Sequence, residues 1–174
     1  VDALRLVTVG LISPMKNHLL VLRSLVHCNE QIIYTIVGAV KDAEYWNECK
    51  SLIARLPKSI QVEVKGEVPP SEIDNILVQS DLFVMPSKSE NYSHAIMEAL
   101  SAGLPVITSH HTPWNGLEEN HAGFNVDLSE DSIRKAILKF AEMNDEELSL
   151  WQKGAIDFAE KNTRSEEHTS ELQS

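Results

Sequence analysis

The sequence predicts an α/β fold, a Rossmann-like doubly wound parallel sheet with helices on both faces. Strand-like apolar runs alternate with helical patterns some five times between Leu4 and Val126, the order expected of repeated strand–helix units. Most of these runs are apolar at successive positions, as strands covered on both faces are. Gly10, Gly38, Gly66, Pro86 and Ser109 close the runs. In a parallel sheet all five loops leave from the carboxyl ends of strands, where such sheets bind ligands.

Leu4 to Val9 is the first strand, β-branched and apolar. Gly10 ends it, and Ser13-Pro14-Met15-Lys16-Asn17 forms a loop before a helix from about His18 to His27. Gln31 to Val37 is the second strand. A helix from about Asp42 to Leu56 follows, with Tyr45, Trp46, Cys49, Leu52 and Ile53 on an inner face at three- and four-residue spacing. Pro57 stops that helix, and Ile60 to Lys65 alternates as a strand. The turn-rich Gly66-Glu67-Val68-Pro69-Pro70 leads to a helix near Ser71 to Gln79, with Ser71 as its cap. Leu82 to Met85 is the next buried run, closed by Pro86.

From Ser93 the chain reads as a helix with Ser93 the N-cap, Gly103 the stop and Pro105 just beyond. Ala95, Ile96, Ala99 and Leu100 form its buried face, with Glu98 at the edge. Leu104 to Thr108 is another strand and Gly123 to Val126 a short last one. Ser129 to Met143 forms a helix with Ile133, Ile137, Leu138 and Phe140 inward. Asp145 caps a final helix carrying Leu148, Trp151, Ile156 and Phe158.

The 174 residues suit one domain with a full core. A hydrophobic content of 43% with 24% charged residues is that of a soluble globular protein. No apolar run approaches the roughly 18 residues needed to cross a bilayer, and no signal peptide is visible. Cys28 and Cys49 lie on separate helical stretches without metal spacing and read as thiols of a reducing, cytoplasmic compartment. The last residues, 164–174, resemble the in-frame translation of a short-read sequencing adapter, so the domain is taken as 1–163 and the tail as an artefact without tertiary contacts. Without Arg164, Glu166, Glu167 and Glu171 the chain has 14 basic and 23 acidic residues, net −9. So acidic a domain is a poor nucleic-acid binder, and a phosphate site in it must depend on a few local donors.

No G-x-G-x-x-G follows the first strand, which counts against a nicotinamide dehydrogenase, and no G-x-x-x-x-G-K-[ST] is present. The adjacent His110 and His111 invite a metal reading with His94, but neighbours on an extended loop diverge and no Cys or Asp completes a spaced set. No metal and no cofactor are expected.

Chemistry concentrates in Pro86 to Ile107. Glu90 lies in the loop before the helix and Glu98 inside it, with seven residues between them. The helix start at Ser93 presents unpaired N–H groups and suits a diphosphate. Glu98 lies about five residues in, roughly 7 Å along the axis, within reach of a nucleotide's ribose. On spacing alone both carboxylates also fit solvated faces.

Pro86-Ser87-x-x-Glu90, Glu98-Ala99 and Gly103-x-Pro105-Val106-Ile107 resemble the double-glutamate signature of the retaining family 4 glycosyltransferases. Asn91 after the first glutamate and Thr112-Pro113-Trp114 after the next strand match one subgroup, and the likeness extends over most of residues 4–160. The resemblance implies the C-terminal, donor-binding half of a GT-B fold, transfer from a nucleotide-diphosphate sugar with retention, and a role in polysaccharide biosynthesis. It gives Lys16 and Glu90 catalytic roles and makes Lys16, Glu90, Asn91, Tyr92, Ser93 and Glu98 the donor-binding set. It further implies an acceptor half that this chain lacks, with peripheral membrane association through that half. Two departures stand out. Leu11 occupies a position where the family has a phosphate-gripping arginine, and Tyr92-Ser93 replaces the usual Phe-Gly. These leave room for a non-catalytic nucleotide-sugar binding domain, and another GT-B enzyme such as a sugar-nucleotide epimerase shares the same half.

Overall fold

The computed structural model describes residues 3–90 and 93–173, the side chains beyond Thr163 excepted. Asn91, Tyr92 and the side chains of the tail, each the subject of an expectation above, lie outside the described residues. The elements are β1 (Leu4–Val9), α1 (His18–Leu25), β2 (Ile32–Val37), α2 (Ala43–Ile53), β3 (Ile60–Gly66), α3 (Pro70–Val78), β4 (Leu82–Met85), α4 (His94–Ser101), β5 (Val106–Ser109), β6 (Gly123–Val126), α5 (Glu130–Ala141) and α6 (Asp145–Gln173). The six strands form one sheet in the order β3-β2-β1-β4-β5-β6, with parallel pairing at every step. This is the doubly wound arrangement expected from the sequence, and its order reverses between β1 and β4.

Strand periodicity divides the core in two. Leu6, Tyr34, Ile36, Leu82, Val84 and Ile107 face one layer, where they pack on residues of α1, α2 and α5. Val7, Val37, Phe83, Met85 and Val106 face the other, against residues of α3, α4 and α6. Neighbouring residues of the central strands are thus buried on opposite faces, which is why β4 and β5 are buried at every position while β3, at the sheet edge, alternates apolar with polar residues. On the first face, Phe124 of β6 lies 5.4 Å from Phe140 and 5.1 Å from Trp151, centroid to centroid, tying α5 and α6 to the sheet edge.

Several local readings are corrected. Ser71 is not the cap of α3; Pro69 is, and Pro70 fills the first turn, where a missing N–H costs nothing. Asp145 is the first residue of α6, and Asn144 does the capping through its Oδ1, which accepts from Glu147 N at 2.8 Å. Leu138 is half-buried and Ile156 is 39% exposed; Ala155, Phe158 and Ala159 form the buried face of α6. Ser93 caps α4 as expected, and Ser129, read as the first residue of α5, is instead its cap; each accepts from the N–H three residues on.

His18, the first residue of α1, is fully buried. Neither ring nitrogen has a hydrogen-bond partner of good geometry, though the Ser13 backbone lies close enough to favour the charged form slightly. Burial, helped by the Lys16 ammonium, pushes its pKa from 6.5 down to about 4. The unfolded chain therefore takes up a proton as pH falls below 6.5, and the folded chain does not until near 4. Stability from this residue is complete above that window and lost on descending through it. At about 1.4 kcal/mol per pH unit the loss is on the order of 3 kcal/mol. Urea midpoints should accordingly fall more steeply from pH 6.5 to 4 in the wild type than in His18→Gln. Parallel profiles would contradict this account of His18.

Candidate functional site

The crevice between the carboxyl ends of β1 and β4 is where the sheet order reverses, and the loops after β1, β4 and β5 meet there. Gly10, Gly38 and Gly66 line up at the ends of β1, β2 and β3: Gly10 N donates to Val37 O at 3.0 Å and Gly38 N to Gly66 O at 2.8 Å. Gly38, at φ +142°, brings its Cα so near Gly10 that an added Cβ would stand 1.9 Å from the Gly10 carbonyl oxygen. Only glycine allows that approach.

Asn17 turns the β1–α1 loop into its helix. It is a non-glycine residue in the left-handed region, at φ 68° and ψ 38°, a conformation asparagine tolerates better than most. Its side chain does not cap α1. Instead Nδ2 donates to the Pro86 carbonyl at 3.0 Å, bridging the switch point from β1 to β4. A first-turn amide of α1, Leu19 N, is satisfied by the Tyr45 hydroxyl of α2 at 2.8 Å. A second bridge runs from Lys88 N to the Met15 carbonyl at 2.9 Å.

The β4–α4 loop is fastened from the other side as well. Ser109 Oγ donates to the Ser87 carbonyl at 2.6 Å, and Glu90 N donates to the His111 carbonyl at 3.0 Å. Glu90 is thereby held over the crevice with its side chain only 9% exposed. Lys16 Nζ donates to Glu90 Oε1 at 2.5 Å, and Ser87 Oγ donates to the same oxygen at 3.1 Å. Lys16 and Glu90, 74 residues apart in sequence, are thus brought together.

Ser93 is buried and its hydroxyl is turned back onto α4, accepting from Ile96 N at 3.2 Å. A side chain at this position therefore sits on the first turn itself and takes up one of its free amides. Glu98 is exposed on α4, one turn beyond the cap. Leu11 is 48% exposed at the rim, and its neighbour Ile12 pairs with Val40 of the following loop. The two histidines serve separate loops: His110 Nε2 lies 3.6 Å from Asp127 Oδ1, while the His111 carbonyl anchors Glu90. Among the described residues no three His, Cys, Asp or Glu side chains converge as a metal site. Trp114 is buried with the residues of α4 and meets Phe158 of α6 edge-on, ring centroids 6.2 Å apart.

Sequence reasoning missed Ser87, the side-chain bridge from Asn17 and the His111 carbonyl. Ser87 stands inside the Pro-Ser-x-x-Glu pattern, so its closeness to Glu90 had a signal; the other two depend on which strands are neighbours.

The family model for "Glycosyl transferases group 1" matches residues 2–157. The chain belongs to that family. A relative from Escherichia coli, a UDP-Gal:alpha-D-GlcNAc-diphosphoundecaprenol alpha-1,3-galactosyltransferase, is 42% identical over 71 residues, 40% of this chain and 18% of that one. Among solved structures, HepE from Anabaena in complex with UDP superposes with a TM-score of 0.81 at 20% identity, over 99% of this chain and 49% of that one. A glycosyltransferase from Rickettsia africae gives 0.80 at 21% identity, over 93% and 44%. At such identities the likeness shows the shared fold alone, a Rossmann-like half of a GT-B fold. The chain spans about half the length of these solved structures and a smaller share of the curated relative. Among the described residues no helix is long and apolar enough to cross a membrane.

Proposed function

We propose that this group 1 domain is the donor-binding half of a retaining glycosyltransferase of family 4, which takes the sugar from a nucleotide diphosphate. The observation that carries the reading is the meeting of Lys16 and Glu90 over the sheet's switch point, beside the capped start of α4. A diphosphate leaving group gains negative charge as the glycosidic bond to it breaks. Lys16 and the amino end of α4 supply positive charge where that develops. Glu90, an acceptor-only group when ionised, orients the sugar through its hydroxyls. Glu98 holds the ribose and Ser93 caps the helix start beside it; the resemblance adds Asn91 and Tyr92 to the donor-binding set. The scheme gives no described side chain the role of covalent nucleophile, and it assigns the acceptor and any base to the other half of the GT-B fold. The reaction needs no metal in this scheme, because the cation and the helix end take that role. The UDP in the HepE complex and the UDP-sugar named for the bacterial relative support a nucleotide-sugar donor. Leu11 favours the second reading, a binding domain without turnover, since a leucine offers a phosphate nothing.

Glu98→Gln tests the ribose role. A carboxylate accepting ribose hydroxyls makes charge-assisted bonds of about 1.5–3 kcal/mol each. Calorimetry should show UDP binding weakened tenfold or more in the variant, with the circular dichroism unchanged. Equal affinities would return Glu98 to an ordinary solvated helix face.

A further inference from the structure

Lys16 and Glu90 are the two groups that the proposed reaction assigns to opposite ends of the donor, yet here each holds the other. The contact is close, 2.5 Å between Nζ and Oε1, and neither end is freely hydrated: the side chains are 24% and 9% exposed. The fully buried Ser87 adds its hydroxyl to the same carboxylate oxygen. The two backbones are fixed independently of the pair, through Lys88 N to Met15 O and Glu90 N to His111 O. Rotation of the side chains alone can therefore break the pair.

A ligand carrying only the diphosphate must draw Lys16 away and leave a nearly buried carboxylate without its cation. That is costly, because a charge removed from water needs a partner. A ligand carrying diphosphate and sugar replaces both halves of the pair at once, phosphate for carboxylate at Lys16 and hydroxyls for ammonium at Glu90. We infer that the Lys16–Glu90 ion pair is a latch within the donor site, competing with the diphosphate so that the intact nucleotide sugar is favoured over the nucleoside diphosphate left behind. Reclosing of the pair then opposes retention of that product. The inference rests on the donor-site reading given above.

A staple and a latch behave oppositely when the pair is broken. A staple that merely holds two loops together would, once removed, loosen the site and weaken every ligand. Removing the anionic half of a latch liberates Lys16 for phosphate. The test is titration of the 174-residue chain with UDP, uridine and UDP-glucose, for the wild type and Glu90→Gln. The amide keeps the shape of Glu90 and can still accept from Ser87; Glu90→Met, of similar length, gives the same reading should the amide unsettle the loop. UDP is expected to bind about tenfold more tightly to the variant, about 1.4 kcal/mol. Uridine should be unaffected, and the preference for UDP-glucose over UDP should fall. In a Lys16→Gln background the gain from Glu90→Gln should shrink, because no ammonium is left to release.

Unchanged or weaker UDP binding in a folded Glu90→Gln chain overturns the inference. So does a gain of equal size in both backgrounds, which would make Glu90 a source of general repulsion. If neither the wild type nor any of these variants binds UDP, the donor-site reading itself fails, and the latch with it.

Discussion

Gly38→Ala is expected to lower stability by about 3–5 kcal/mol, from a backbone clash and an unfavourable φ acting together. The added methyl carbon would stand 1.9 Å from the Gly10 carbonyl oxygen, and that oxygen cannot move without disturbing the end of β1. For a domain of this size the thermal midpoint should drop by roughly 6–20 °C. Gly66→Ala is the informative comparison. Gly66 also has a positive φ, +70°, but nothing lies within 4 Å of its added Cβ. It should cost only about 1–2 kcal/mol, the penalty of the left-handed conformation. Equal losses in the two variants would mean that the close approach of Gly38 to Gly10 is not what that position requires.

The second large effect concerns Leu11. It lies at the rim of the crevice, 48% exposed, and can neither pair with phosphate oxygens nor offset their desolvation. Leu11→Arg should tighten UDP binding. One new charge-assisted contact of about 1.5–3 kcal/mol corresponds to roughly tenfold to a hundredfold in affinity. The gain should shrink at high salt, being partly Coulombic. It should be nearly absent for uridine, which has no phosphate for the guanidinium to hold. An unchanged UDP affinity in a folded Leu11→Arg domain would remove Leu11 from the donor site. Leu11→Arg and Glu90→Gln act on the same phosphate by different routes, one adding a cation and the other freeing one. Their combination should therefore gain less than the sum of the two.

The layered fold was readable because the doubly covered central strands are largely apolar at successive positions while the edge strand β3 alternates, and because Gly10, Gly38, Gly66 and Pro86 punctuate them. Helix ends were less readable. Asp145 and Asn144 are both good capping residues, and only the Asn144 Oδ1 bond to Glu147 N decides between them. Tyr45 reads from its spacing as a core residue, and it is buried; that its hydroxyl also caps the first turn of α1 depends on how α1 and α2 pack. His18 shares the spacing of Leu22 and Leu25, which put it on the buried face, but nothing local showed that both nitrogens would lack partners.

The site was legible in part and for a different reason. Lys16, Glu90 and Glu98 were picked out by a motif likeness and Ser93 by its helix-start signal, and the fold brings Lys16, Glu90 and Ser93 to the same end of the sheet. Their mutual contacts were beyond the sequence, since pairing across 74 residues follows only from β1 lying beside β4. The Asn17 bridge to Pro86 has the same origin. Gly154 shows the limit from another side. A glycine within a helix reads as a weakness, yet a Cβ there would stand 2.1 Å from the His121 carbonyl oxygen, so it marks a close packing of α6.

On the function proposed above, a nucleoside diphosphate binds at the β1–β4 switch point. Amide resonances of this 19.5 kDa chain, followed during titration with UDP and in parallel with uridine, test it most directly. UDP should move the amides of Gly10 to Asn17, Ser87 to Glu90 and the first turn of α4 together, and uridine should leave Lys16 and the α4 amides largely in place. Shifts gathered along β6 and α5 instead, or none at millimolar UDP, would contradict it.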